Sequence, residues 1–111
     1  PVGQGGRGND GVAAIVKSTP GSIGYVELAY AKQNGLPYAL MRNRSGQYVA
    51  PSSAGVTAAA AAYARQIQRD VRFTIVNAPG ARAYPISGFT YILAYKNQRD
   101  KTKGKALTNF L

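Results

Sequence analysis

Glycines at positions 3, 5 and 8 give the segment Gly3-Gln4-Gly5-Gly6-Arg7-Gly8 the G-x-G-x-x-G pattern, which cradles a pyrophosphate when a strand delivers it to a helix N-terminus. Such a loop offers free backbone N–H groups and the positive end of a helix dipole, and Arg7 adds a full charge beside them. An acidic residue, Glu27, follows at about the distance where the fingerprint places its ribose contact. The strand is what is missing: only Pro1 and Val2 precede Gly3, which speaks against a dinucleotide site. Asp10 also competes for the positive helix end, because a capping carboxylate there repels an incoming phosphate. Arg7, Gly8, Asn9 and Asp10 are therefore the residues near which an anion would sit, and their expected role is the loop and cap of a helix.

Little else in the chain carries reactive chemistry. Cysteine and histidine are both absent, which removes disulfides, thiolate metal sites and Ser-His or Cys-His nucleophiles. The four carboxylates, Asp10, Glu27, Asp70 and Asp100, are too far apart in sequence to suggest an acid/base pair. Neither a catalytic residue nor a cofactor or metal site is expected. The net charge of +10, from 14 Lys and Arg against four acids, points to an anionic partner. The basic residues are nevertheless scattered, apart from a dense run between Lys96 and Lys105, and scattered charge is the pattern of a solvated face. Eight tyrosines keep aromatic-plus-basic nucleic-acid readout as the alternative, although Tyr25, Tyr30 and Tyr91 sit among apolar neighbours and are expected in the core. A nucleic-acid binder would gather its cations into one groove, whereas a binding protein of another kind would spread them over several faces.

The elements that must position these residues follow from punctuation and periodicity. Asn9 or Asp10 is the expected N-cap of a short helix from Gly11 to about Ser18, and Thr19-Pro20-Gly21 turns the chain. Ser22 to Tyr25 is expected as a short strand, and Val26 to Gln33 as a helix closed by Asn34-Gly35. Leu36–Met41 and Gln47–Ala50 flank a polar turn as a hairpin. Ser52 or Ser53 caps the longest helix, Ala54 to Asp70, where an alanine run has strong helix propensity. Val71 to Ala78 is expected as a short strand or an irregular passage. Tyr84 to Tyr95 is the most strand-like run, nearly continuous in apolar residues from Phe89, and is expected to be buried on both faces. Lys96–Lys103 is a basic connector, and Gly104 to Leu111 starts a helix. Mixed strands and helices without an internal repeat give an α/β class. With 111 residues the chain has the length of one small domain, and no window in it approaches a membrane span or shows a basic-then-apolar pattern. The glycine-rich opening and the uncapped close on Phe110-Leu111 give the expectation of a piece cut from a longer protein.

Two long blocks resemble the phosphate-binding protein of the phosphate-specific ABC transporter. One is Gly6-Arg7-Gly8-Asn9-Asp10-Gly11-Val12-Ala13-Ala14, continued by Thr19-Pro20-Gly21-Ser22-Ile23-Gly24-Tyr25-Val26-Glu27 and Ala29-Tyr30-Ala31. The other is Tyr84-Pro85-Ile86-Ser87-Gly88-Phe89-Thr90-Tyr91-Ile92-Leu93 with its sequel Tyr95-Lys96-Asn97-Gln98. The resemblance implies a partial two-lobed periplasmic-binding-protein fold of type II. Residues 1–83 would be part of the second lobe, and residues 84–111 the crossover strand and the start of the return to the first lobe. It implies capture of inorganic phosphate outside the cytoplasm, in the periplasm, by a monomeric receptor that delivers it to ABC permease subunits, with no nucleic acid involved. In that family a Ser-Gly-Thr segment, a nearby Arg and first-lobe residues hold the phosphate. No position here matches Ser-Gly-Thr, so no first-shell ligand is carried over. Tyr84, Pro85, Ile86 and Ser87 are expected to form the inter-lobe hinge.

Overall fold

The computed structural model describes residues 3–110. Helix α1, Gly8–Ser18, buries Ala13, and helix α2, Leu28–Gln33, buries Ala31. The passage between them crosses α1 at Gly24, where a Cβ would lie 2.7 Å from Val16 Cγ2 and 3.2 Å from Val12 Cγ1. Only a residue without a side chain lets that backbone lie against the valine face. Ser22 closes the end of α1 by donating its Oγ hydrogen to the Thr19 carbonyl at 2.6 Å. Helix α2 stops because Gly35, at φ +64°, takes the left-handed conformation. The Gly35 N–H then reaches the Lys32 carbonyl at 3.2 Å and the Leu36 N–H reaches Ala31 at 2.9 Å, which satisfies two orphan acceptors.

Strands β1, Met41–Arg42, and β2, Tyr48–Val49, pair antiparallel with Met41 opposite Val49 and Arg42 opposite Tyr48. Helix α3, Ser53–Ala61, begins at Ser52, whose Oγ accepts from the Gly55 N–H at 3.0 Å. A single turn, α4, Ala64–Ile67, follows, and α5, Lys101–Phe110, closes the described chain. The principal buried cluster is small: Ala59 of α3 packs with Ile75, Ala78 and Ala83, under partial cover from Ala60, Tyr63 and Phe73. The radius of gyration is 18.0 Å, against about 13 Å for a compact domain of 100 residues. The chain is thus an extended series of local clusters, and among the described residues only Ile75 is both large and fully buried.

Four expectations are corrected. Neither Asn9 nor Asp10 caps α1, since the helix begins at Gly8, three residues before the expected Gly11, with Arg7 at the cap position and no side-chain cap bond; Asn9 and Asp10 lie within its first turn. Ser22–Tyr25 is no strand, because among the described residues no neighbouring strand supplies a ladder, and Ile23 and Tyr25 are exposed. The helix expected over Ala54–Asp70 breaks at Ala62-Tyr63, where Tyr63 leaves helical geometry at φ −118°, ψ 17° and turns its ring toward Phe73. The stretch from Phe89 to Tyr95 forms no regular element and pairs with no strand among the described residues, and Leu93 is 94% exposed. The tyrosines expected in the core follow the same pattern: Tyr30 is half-buried, but Tyr25 and Tyr91 face solvent. Val71–Ala78 is the irregular passage of the two alternatives, and α5 starts three residues before Gly104.

Candidate functional site

The four residues singled out near the glycine loop are brought together in one turn. Gly6 lies so close to α1 that an added Cβ would be 2.5 Å from the Val12 nitrogen and 2.6 Å from the Gly11 carbonyl carbon. This fixes why glycine stands there: the loop backbone folds directly onto the helix it precedes. Gly8 enters α1 with φ +68°, also a glycine conformation. Arg7 is exposed, and its carbonyl accepts from the Gly11 N–H at 3.3 Å. Asp10 is exposed in the first turn, where its charge complements the helix dipole. Asn9 is committed elsewhere: its Oδ1 accepts from the Glu27 N–H at 2.9 Å and fastens the start of α1 to the start of α2. The turn therefore holds an acid at its positive end and uses its one neutral polar side chain as a structural tie.

The four residues expected as a hinge are held on one side and free on the other. The Tyr84 N–H donates to the Gly55 carbonyl at 3.1 Å, and the Pro85 carbonyl accepts from the Asn77 N–H at 2.8 Å. Ser87, 4% exposed, donates its hydroxyl to the Tyr84 carbonyl at 2.8 Å, while Ile86 is exposed. Beyond Ser87 the regular anchoring stops. Gly88 has open space around it, and the next hold on the backbone is indirect, through the Tyr91 hydroxyl, which donates to the Val71 carbonyl at 2.6 Å. Tyr63, Phe73, Phe89 and Tyr91 form a file of rings with successive centroids 5.7, 6.0 and 6.1 Å apart.

The residue that organises this side was not visible as such in the sequence. Asn43, 5% exposed, lies in the hairpin turn and uses every polar atom of its side chain. Its Nδ2 donates to the carbonyls of Gly80, Ala81 and Ala83 at 3.2, 2.9 and 3.2 Å. Its Oδ1 accepts from the Ser45 and Gln47 N–H groups at 3.0 Å each. Asn43 thereby pins the loop that leads into Tyr84 to the hairpin. The available signal was an asparagine in a polar turn, a residue type that bonds nearby backbone; its reach to residues 80–83 had no sequence signature.

Charge at this site is mostly unpaired. Among the described residues one ion pair forms, Arg72 to Asp70 at 2.9 Å, on the surface. The side-chain hydrogen bond from Arg72, helped by the Arg72 backbone N–H, lowers the Asp70 carboxyl below its ordinary value, and the same bond raises Arg72. The basic residues ride on separate elements: Lys17 on α1, Lys32 on α2, Arg44 in the hairpin turn, Arg65 on α4 and a last group between Lys96 and Lys105. They are spread over several elements, the distribution expected of a binding protein of another kind.

The family model for the PBP superfamily domain matches residues 2–111. The chain belongs to the PBP superfamily. Its helices and short hairpin are a partial periplasmic-binding-protein-like α/β fold. Among its relatives, the phosphate-binding protein PstS of Xylella fastidiosa is 44% identical over 110 residues, which cover 99% of this chain and 30% of the relative. The phosphate-binding protein PstS of Pasteurella multocida is 41% identical over 110 residues, 99% of this chain and 32% of the relative. That of Methanocaldococcus jannaschii is 39% identical over 123 residues, 99% of this chain and 31% of the relative. This PBP-superfamily chain thus spans about a third of the length of the curated relatives it matches.

Proposed function

We propose that the chain is the part of a phosphate-binding receptor that completes the second lobe and crosses back toward the first, within an ABC phosphate importer. The observation that carries this reading is the identity of 39–44% to phosphate-binding proteins from two bacteria and an archaeon, over nearly every residue of this chain. In this reading residues 1–83 belong to the second lobe, residues 84–111 form the crossover and return, and the type II arrangement closes the lobes on inorganic phosphate. The receptor is extracytoplasmic and monomeric, hands phosphate to membrane permease subunits, and catalyses no reaction. Arg7, Gly8, Asn9 and Asp10 shape the lobe and leave the phosphate to residues outside this chain, which agrees with the Asp10 charge at the helix end and with Asn9 being occupied by Glu27. Tyr84–Ser87 is the hinge: its first two residues are anchored by Gly55 and Asn77, and Ile86 and Ser87 carry the chain on from that anchor.

A segment exchange tests this. Residues 1–111 replace the matching stretch of the Pasteurella multocida protein, and phosphate binding is measured by titration calorimetry near physiological ionic strength. The expected outcome is micromolar or tighter binding by the chimera and none of that strength by the 111-residue chain alone, because a desolvated oxyanion needs donors from both lobes. A folded chimera that does not bind overturns the assignment of this chain to a phosphate receptor. Tight binding by the isolated chain overturns the assignment of the ligands to residues outside it, and makes Arg7 with the Gly8–Gly11 amides the first candidates.

A further inference from the structure

We propose that Asn43 and Gly55 are positioning residues for lobe closure: from two different elements they clamp the loop that feeds the hinge, and so set the affinity for phosphate without touching it. This rests on the reading of Tyr84–Ser87 as the hinge of a phosphate receptor. Asn43, buried in the hairpin turn, is one grip. Its turn is already closed by backbone bonds, from the Asn43 N–H to the Gln47 carbonyl at 2.8 Å and from the Gly46 N–H to the Asn43 carbonyl at 2.9 Å. The Nδ2 donors are therefore spare as far as the turn is concerned, and they go to the carbonyls of Gly80, Ala81 and Ala83 instead.

Gly55, buried in the first turn of α3, is the other grip. Glycine is a poor helix former, and the close approach of the loop accounts for it: an added Cβ would lie 3.1 Å from the Tyr84 Cβ and 3.5 Å from the Arg82 carbonyl oxygen. With the side chain absent, the Gly55 carbonyl takes the Tyr84 N–H at 3.1 Å. The path fixed at residues 80–84 is handed onward, because the Tyr84 carbonyl accepts from the Ser87 hydroxyl and the Pro85 carbonyl from the Asn77 N–H. A two-lobed receptor binds only in conformers whose lobes can meet on the ligand. Any spread in the direction of the crossing segment lowers the competent fraction and raises the apparent Kd in proportion.

Two variants separate the grips from plain loss of stability. Asn43→Asp keeps an oxygen for the Ser45 and Gln47 N–H groups and removes the donors. Gly55→Ala improves the helix propensity of α3 yet crowds Tyr84. In the 111-residue chain, hydrogen exchange at the Tyr84 and Asn77 amides is expected to quicken about tenfold in each variant. The Leu36 amide, bonded to Ala31 in the other part of the molecule, should keep its rate. In the chimera with the Pasteurella multocida protein, calorimetry is expected to show the Kd for phosphate raised about tenfold by either variant. Asn34→Ala, which removes a side-chain bond to the Tyr30 carbonyl at the end of α2, should change that Kd by less than about twofold. Exchange that quickens equally at Leu36, or not at all at Tyr84, would overturn the clamp. An unchanged Kd in both variants of a chimera that binds would overturn its link to closure. An unsubstituted, folded chimera that does not bind instead removes the receptor reading, and the affinity claim with it, while the exchange rates still decide the clamp.

Discussion

Residues 75–87 and residues 88–95 adjoin in the chain and reverse what their compositions suggest. The first stretch holds two prolines and a glycine and no regular element, yet Ile75, Ala78, Ala83, Pro85 and Ser87 are buried in it. The second is apolar and β-branched, yet all of it is exposed. The difference is where backbone hydrogen bonds find partners. In the loop, Asn43 satisfies three carbonyls, Gly55 receives the Tyr84 N–H, and Asn77 and Pro85 bond each other. Once those polar groups are met, its small apolar side chains can be buried without penalty. Among the described residues no second strand meets the N–H and C=O groups of the 88–95 stretch, and its side chains are left exposed with its backbone. Within residues 75–95, burial follows hydrogen-bond satisfaction more closely than it follows hydrophobicity.

The comparison breaks most completely at Asn43. Asn43→Ala takes a donor from the Ala81 and Ala83 carbonyls and the acceptor from two N–H groups, while the Gly80 carbonyl keeps the Ala83 N–H, and is expected to cost about 3 kcal/mol. Urea unfolding measures it, and hydrogen exchange should show the Ser45 and Gln47 amides deprotected. Ile75→Ala opens a void beneath Phe73 and Tyr63, with an expected loss of about 2 kcal/mol, at the low end for such changes because a cluster this small can collapse. Ser52→Ala removes the N-cap of α3, the helix that carries Ala59 and Gly55 to the loop, and should cost about 1 kcal/mol by the same urea measurement. Leu93→Ala in the exposed stretch is expected to change stability by less than about 0.5 kcal/mol. A loss near that of Ile75→Ala would show that the stretch is packed in solution, and the contrast between the two regions would be gone.

Local signals in the sequence were reliable where a residue type solves a local problem. Asn34-Gly35 ended α2, the serine before the alanine run capped α3, and the hairpin formed around its Gly-containing turn, although shorter than the apolar runs suggested. The failures share one cause. The asparagine–aspartate pair resembled a cap, but Gly8 could enter the helix with a positive φ and Asn9 was drawn 18 residues away to Glu27. Ser22–Tyr25 and Phe89–Tyr95 have strand composition, but a strand is a property of a pair, and no single segment encodes its partner. The alanine run would continue as helix past Ala61 on propensity alone; packing of Tyr63 on Phe73 overrode it. Of the candidate site, the loop and hinge residues were legible as types, and Asn43 was not, since its partners lie 37 to 40 residues on.

The file of rings from Tyr63 to Tyr91 also gives the molecule an optical handle. The chain contains eight tyrosines and no tryptophan, so near-ultraviolet circular dichroism comes from tyrosine and phenylalanine alone. Tyr25, Tyr48 and Tyr95 are exposed and freely turning side chains contribute little asymmetry. Tyr63 and Tyr91 are held at fixed tilts against Phe73 and Phe89, and Tyr91 is further fixed by its hydroxyl. Any movement that swings residues 88–91 away from Val71 and Phe73 would separate Phe89 from Phe73 and release Tyr91, and the dichroic band near the tyrosine absorption would fade without a label being attached.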